Sequence, residues 1–564
     1  MFYNRPNVHT SSSYDIDVVR ISQYLAGFVL VDHVGSRTLS LSFPGGYLES
    51  HTPTFRASSF PPIPRSPWND TFKATNYGLR CPERLTLSKD QNLDREDCLS
   101  INVYTKNPKG NFPIMFYIYG GGFANGTAED FPPNYLLEKD IVLIVPQYRV
   151  GALGWLSTKT EEIPGNAAFM DVILALQWVQ KYASYFGGNP DRVTIFAQSG
   201  GAMITGLLTL SPKVPDGLYH RLILQSASVL MLEAEKDSIK LASKYCEKAN
   251  CKCSNTEEIN SCLVNLPVET LLDISSDNQY VFSVDDFHGY VPKQPNEMDP
   301  RPSINKIQIM SGVTKQEGSF LFALVYDAIR NNITRHTTVN DIFNILYKQF
   351  NFKEDLKAQL TESIFGSKDL NSTDLKGNVP NSLNLMQKYF NFNHNQVIFL
   401  YSFDYAGEHT RFGYEFGNEW YPFNGGVHHS DDNIYLFATH KLTGKDEAVA
   451  KMKVELWTSF AINGRPSVDG MEMPQFDGLH GPYFKIDTNI SIAKDFRDEF
   501  SSTVKDPKRE KFIRENVCFG HDGFSSPGRR TCPFDHSSSS RITIWCGVIP
   551  AIFMSTDEEE LHHH

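Results

Sequence analysis

The sequence predicts an α/β protein with a large, mostly parallel central sheet and helices on both faces. Between Phe112 and Phe196, short β-forming apolar runs alternate with a segment of helical periodicity, and this alternation is what strand–helix–parallel strand units require. Apolar runs of the same kind return at Leu218–Ser228, Ile304–Thr314 and Asn395–Tyr405. Hydrophobic residues make up 41% of the chain and charged residues 21%, so a sizeable core can form and disorder, collagen or coiled coil do not describe the chain.

Each element has its own warrant. Tyr24–Val31 (YLAGFVLV) is a short apolar run with polar flanks and reads as a buried strand, not as a secretory leader. PIMFYIYG, from Pro113, is a buried strand ending in glycine, and IVLIVPQYRV, from Ile141, is another. Asp171–Phe186 carries apolar residues at helical spacing. VTIFAQSGG, from Val193, is an apolar run that breaks at small residues. Residues 320 to 395 are mixed and read as a helical insertion over the sheet. The chain is 564 residues long, and large α/β enzymes reach that length by insertion. Residues 1–64 form an atypical Ser/Pro-rich segment, 65–500 the α/β domain, and 501–564 a polar, loosely ordered tail.

Charge and composition narrow the function. Lys and Arg number 53 against 65 Asp and Glu, a formal net charge of −12, with no basic stripe, so nucleic acid is a poor partner. No apolar run is long enough to span a membrane. Nine cysteines fall at 81, 98, 246, 251, 253, 262, 518, 532 and 546. Their clustering suits short-loop disulfides. Zinc fits poorly, because the Cys251–Cys253 spacing is tight and that segment has no histidine. Sequons at Asn69, Asn125, Asn332, Asn371 and Asn489 lean weakly towards export. No metal and no cofactor is expected.

The chemistry concentrates at four places. A serine becomes a nucleophile when a base takes its proton and a third group orients that base. Ser199, in Ala197-Gln198-Ser199-Gly200-Gly201, follows a strand and has small residues on either side, as a strained strand-to-helix turn needs. Gly120-Gly121-Gly122 follows the strand PIMFYI, where successive N–H groups can converge on an oxyanion. Glu317 lies just beyond the strand-like KIQIMSGV, well placed to hold an imidazole. His428 and His429, in GVHHSDD, supply the base. The order serine, acid, histidine is the one an α/β-hydrolase sheet imposes.

Read together, these residues resemble the type B carboxylesterase/cholinesterase family. The resemblance rests on EDCLSINVY from Glu96, YGGGF from Tyr119, QYRVGALG from Gln147, FGGNPDRVTIFAQSGGA from Phe186, and on ILQSAS, QEGSF and GVHHSDD. It covers roughly residues 65 to 500 and implies an α/β-hydrolase fold that hydrolyses small-molecule carboxylic esters through an acyl-enzyme. By position it makes Ser199 the nucleophile, His429 the general base and Glu317 its orienting acid. His429 is preferred over His428 because the family pattern reads G-V-x-H. Gly121, Gly122 and Gly200 are the implied oxyanion donors, and Ser226 resembles a position behind the reacting residues, near the acid.

The resemblance also points to pairing of Cys81 with Cys98, and of Cys262 with Cys253 or Cys251. It implies an extracellular protein, although no leader is visible. The cholinesterases of the family hold choline on a tryptophan in the first disulfide loop, whereas the loop CPERLTLSKDQNLDREDC has no aromatic residue. The elbow reads AQSGG where the family usually has GESAG, and Gly200 leaves one oxyanion donor freer than alanine would. Two other readings accompany the resemblance: an adhesion or binding protein that keeps the fold without catalysis, and a specialised hormone or pheromone esterase. The presence of all three triad residues favours catalysis.

Overall fold

The computed structural model describes three strands within residues 19–40, then residues 61–62, 77–83, 97–317 (less 230–233, 276–279, 285 and 300), 319, 399–411, 425–475 and 482–494. In chain order the strands are β1 (Val19–Tyr24), β2 (Leu30–His33), β3 (Leu39–Ser40), β4 (Ser100–Thr105), β5 (Phe112–Ile118), β6 (Val142–Pro146), β7 (Gly188–Gln198), β8 (Arg221–Gln225), β9 (Gln308–Thr314), β10 (Phe399–Phe403), β11 (Ser467–Val468), β12 (Met471–Glu472), β13 (Tyr483–Ile486) and β14 (Ile490–Ala493). The helices are α1 (Gly151–Trp155), α2 (Ala167–Tyr182), α3 (Gly200–Leu210), α4 (Ser238–Lys248), α5 (Thr256–Val264), α6 (Val268–Ile274) and α7 (Gly444–Asn463).

Twelve strands form one sheet in the order β14-β13-β10-β9-β8-β7-β5-β6-β4-β1-β2-β3. From β6 through β13 the neighbours are parallel; β4 and β14 turn antiparallel at either side. Strands β5, β6 and β9 are buried along almost their whole length, as is β7 from Val193 onward, as parallel strands covered on both faces must be. Burial explains why they read as continuous apolar runs in place of alternating ones. The α/β-hydrolase class predicted from sequence is the class observed.

The apolar run at Tyr24–Val31 is a correction. Tyr24 ends β1 and Leu30 begins β2, and these strands pair antiparallel. An unbroken apolar run does not reveal where two strands divide it. The expected helix from Asp171 starts earlier, at Ala167, and its last turn, Ala183–Phe186, tightens to a 3₁₀ turn. The insertion expected over 320–395 and the 501–564 tail fall wholly outside the described residues, as do most of residues 1–64.

Two devices hold the core to the sheet. Arg149, just after β6, donates Nε to Asp171 Oδ2 (2.8 Å) and a terminal amino group to Oδ1 (2.6 Å), with both side chains buried. Removing one partner of a buried pair leaves the other charge uncompensated, at a cost of about 3–5 kcal/mol. Asp171→Ala is therefore expected to lower unfolding free energy by about that amount, read from the urea midpoint at unchanged m-value. At the opposite end of the sheet, Arg192 and Arg221 donate to the carbonyls of Ile462 (2.8 Å) and Ala461 (3.1 Å). Two cations there complement the negative end of α7.

Disulfides join Cys81 to Cys98, Cys246 to Cys253, and Cys251 to Cys262. Of the two partners left open for Cys262, the structure has Cys251. Cys253 turns to Cys246 at the end of α4, a cysteine the sequence reading left unassigned. The crossed pattern ties α4, the following loop and α5 into a small cluster packed on α1.

Candidate active site

The site forms where the C-terminal ends of β5, β7, β8 and β9 meet. Ser199 sits between β7 and α3 at φ 54°, ψ −125°, a strained conformation for a non-glycine residue. Its N–H donates to the Gln225 carbonyl at 2.9 Å, and its own carbonyl accepts from Ala202 and Met203. The elbow is thus clamped to β8 on one side and to the first turn of α3 on the other. The tight steric requirement falls on Gly201, where a Cβ would lie 2.1 Å from the Ile118 carbonyl oxygen and 2.6 Å from that of Tyr119. Position 197, usually glycine in the family, holds a fully buried alanine on β7.

Gly121 and Gly122 follow β5 with φ of 125° and 59°. A side chain at Gly121 would strike the Asn125 carbonyl. The Gly121 carbonyl accepts from Ala124 and Asn125, which curls the loop into a turn. Phe123 also has positive φ, 63°. Its ring is held edge-on to Trp155 (5.0 Å between centroids) and Phe282 (6.2 Å), and its carbonyl accepts from Gly151 at 2.7 Å. A Cβ on Gly200 would lie 3.4 Å from the Phe123 nitrogen and 3.6 Å from that of Gly122. The amide nitrogens of Gly122 and Phe123 are therefore neighbours of Gly200 across the mouth of the elbow, at the positive end of α3, with Gly121 one residue further back in the loop.

Glu317 and His429 meet. The His429 Nδ1 is 2.6 Å from Glu317 Oε2, and Glu317 Oε1 accepts from the Thr314 N–H at 2.7 Å. Both side chains are buried. With Nδ1–H donating to the acid, Nε2 is the ring nitrogen that presents a lone pair. His428, next in line, is wholly buried, and burial holds its pKa well below the usual histidine range, helped by the neighbouring His429.

Several contributors were not read from sequence. Gln316 clips the two loops together: its N–H donates to the Val427 carbonyl (3.0 Å), and its Oε1 accepts from the Val427 N–H (2.8 Å). Below the histidine loop, Lys453 of α7 is fully buried and paired with Asp432 (2.9 Å), which also accepts from Gln225 (2.7 Å). Burial lowers the Lys453 pKa to about 8, against the pull of Asp432. Gln198 donates from its side-chain amide to Ser430 Oγ (2.6 Å) and lies 3.1 Å from His429 Nε2. Of these, only Gln198 left a trace in the sequence, as a departure from the family elbow. Ser226 stands at the end of β8 with φ 60°, and its buried hydroxyl has no hydrogen-bond partner among the described residues. It does not hydrogen-bond Glu317.

Two groups bring metal-type donors together among the described residues. The sulfurs of Cys246, Cys251 and Cys262 are close, but all three are in disulfides. Glu408, His409 and Asp446 approach within 4.8 Å, and the Asp446 carboxylate already accepts from the Tyr405 hydroxyl and the Glu408 N–H. No described helix is long and apolar enough to cross a membrane.

A model of the carboxylesterase family matches residues 58–504. Among similar proteins, glutactin of Drosophila melanogaster is 28% identical over 481 residues, covering 78% of this chain but 46% of glutactin. The chain thus spans about half of glutactin's length. Bile salt-activated lipase of Mus musculus is 29% identical over 491 residues, covering 79% of this chain and 78% of the lipase. Juvenile hormone esterase of Tribolium castaneum is 28% identical over 457 residues, covering 72% and 76%.

Proposed function

The chain belongs to the carboxylesterase family, and from that membership we propose that it hydrolyses small carboxylic esters through Ser199, His429 and Glu317. The observation that carries the triad is the 2.6 Å contact of His429 with a buried Glu317, because it fixes the tautomer in which Nε2 can accept a proton. Ser199 Oγ attacks the ester carbonyl as its proton passes to His429 Nε2. The developing oxyanion rests on the N–H groups of Gly121, Gly122 and Gly200. His429 then protonates the departing alcohol, and water repeats the sequence to release the acid. The three disulfides favour an oxidising, extracellular setting.

Neutral esters are the preferred substrates. A quaternary ammonium is recognised by an aromatic face, and the loop from Cys81 to Cys98 has none. A substrate panel is expected to give higher kcat/KM for neutral alkyl esters than for choline esters of the same acyl group. Efficient acetylcholine turnover would contradict this. The same panel run on Ser199→Ala tests whether ester hydrolysis belongs to this site.

The unusual elbow has its own consequence. Gly200 opens α3 without positive φ, and a methyl there would make only ordinary contacts, the nearest at 3.4 Å. Gly200→Ala therefore fits, and it restricts the backbone that carries one oxyanion donor. Such donors are typically worth about 2.7–4 kcal/mol, and a loosened one loses part of that. Pre-steady-state kinetics of Gly200→Ala are expected to show modestly faster acylation. Unchanged or slower acylation would mean that the glycine provides room and not slack.

A further inference from the structure

We propose that Gln198 is a positioning residue that caps the base: its amide occupies the His429 lone pair that Ser199 must use, and it leaves that lone pair at each acylation. This rests on the triad reading above. The tautomer dictates the chemistry. Nδ1–H donates to Glu317, so Nε2 is the acceptor nitrogen of the ring, and the Gln198 nitrogen 3.1 Å away meets it as a donor. The second amide hydrogen is directed to Ser430 Oγ at 2.6 Å. Both amide hydrogens thus have acceptors, which fixes the orientation of the group.

The surroundings hold the cap in place. Gln198 ends β7, in register with Gln225, and is 4% exposed. Its Oε1 packs over Gly120, where an added Cβ would be 2.7 Å away. Ser430 is held at φ 73°, turned towards the amide. An imidazole nitrogen has one lone pair in the ring plane, so Gln198 and Ser199 cannot both donate to it fully.

The cap slows proton transfer from Ser199, because the amide must first turn away from the lone pair and because the N–H that appears on Nε2 during acylation would face another N–H. A glutamate at position 198 would do the reverse, accepting from that N–H as it forms.

The test is the reaction of Ser199 with a small uncharged phosphonate ester from pH 5 to 9, in wild type, Gln198→Met and Gln198→Glu. Leaving-group release reports phosphonylation without the later hydrolysis step. Gln198→Met is expected to raise the plateau rate by roughly 3–10-fold, the equivalent of one lost hydrogen bond. Gln198→Glu is expected to raise the plateau as well, while the dissociation constant of the probe before reaction stays as in wild type, because the cap acts on proton transfer and not on binding. A Gln198→Met plateau at or below wild type overturns the cap, as does a gain that lies wholly in the dissociation constant of the probe. If Gln198→Met does not fold, the plateau in Gln198→Glu decides. Failure of wild type to label at Ser199 would instead overturn the triad reading, and the cap with it.

Discussion

Replacing Ser199 by alanine is expected to lower kcat by about 10³-fold or more while leaving the fold intact. The substitution removes only Oγ. Alanine meets the same backbone strain that serine already bears at φ 54°, and the backbone clamps to Gln225, Ala202 and Met203 do not involve the side chain. Residual catalysis would come from the oxyanion donors and from binding, with water replacing the serine. The measurement is steady-state turnover of one neutral ester by pure variant, with near-ultraviolet circular dichroism as the control for folding. Unchanged turnover would remove Ser199 from the reaction.

Glu317→Gln is expected to cost about 10⁴-fold in kcat, the scale on which a triad loses activity when its acid becomes an amide. The side chain keeps its size, so packing around it is retained. One oxygen of Glu317 accepts from the Thr314 N–H, and the other faces His429 Nδ1. A glutamine that continues to accept from Thr314 must turn its NH₂ towards Nδ1. Two donors then face each other, and the ring avoids this by moving its proton to Nε2. In that tautomer His429 cannot take the Ser199 proton. Steady-state kinetics on a neutral ester reads the effect. A loss under tenfold would show that Glu317 does not set the tautomer.

The sequence was most legible where one physical requirement dominates. Parallel strands buried on both faces must be apolar throughout, so β5 to β10 could be read from short runs such as VTIF and KIQIM. The elbow was legible for a similar reason: a backbone passing 2.1 Å from where a Cβ would sit at Gly201 admits only glycine. Chain order then connected Ser199, Glu317 and His429.

Less could be read where the requirement is a meeting of distant side chains. Gln316 clipping Val427 and Lys453 beneath Asp432 each join positions that nothing local in the sequence relates. The disulfide cluster shows the same limit. Spacing favours short loops, but Cys253 and Cys251 are almost equally near Cys262 along the chain. It is the turn after α4 that takes Cys253 to Cys246 and leaves Cys251 for Cys262. At Tyr24–Val31, the apolar run did not show the division between β1 and β2.

If Ser199 alone carries ester hydrolysis, blocking it blocks the reaction. The most direct measurement is stoichiometric reaction with an organophosphate, followed by peptide mapping of the adduct and assay of the remaining activity. A single phosphoryl group is expected on Ser199, with activity lost in proportion to labelling. Full activity in protein labelled at Ser199, or inactivation with the adduct on another residue, would contradict it.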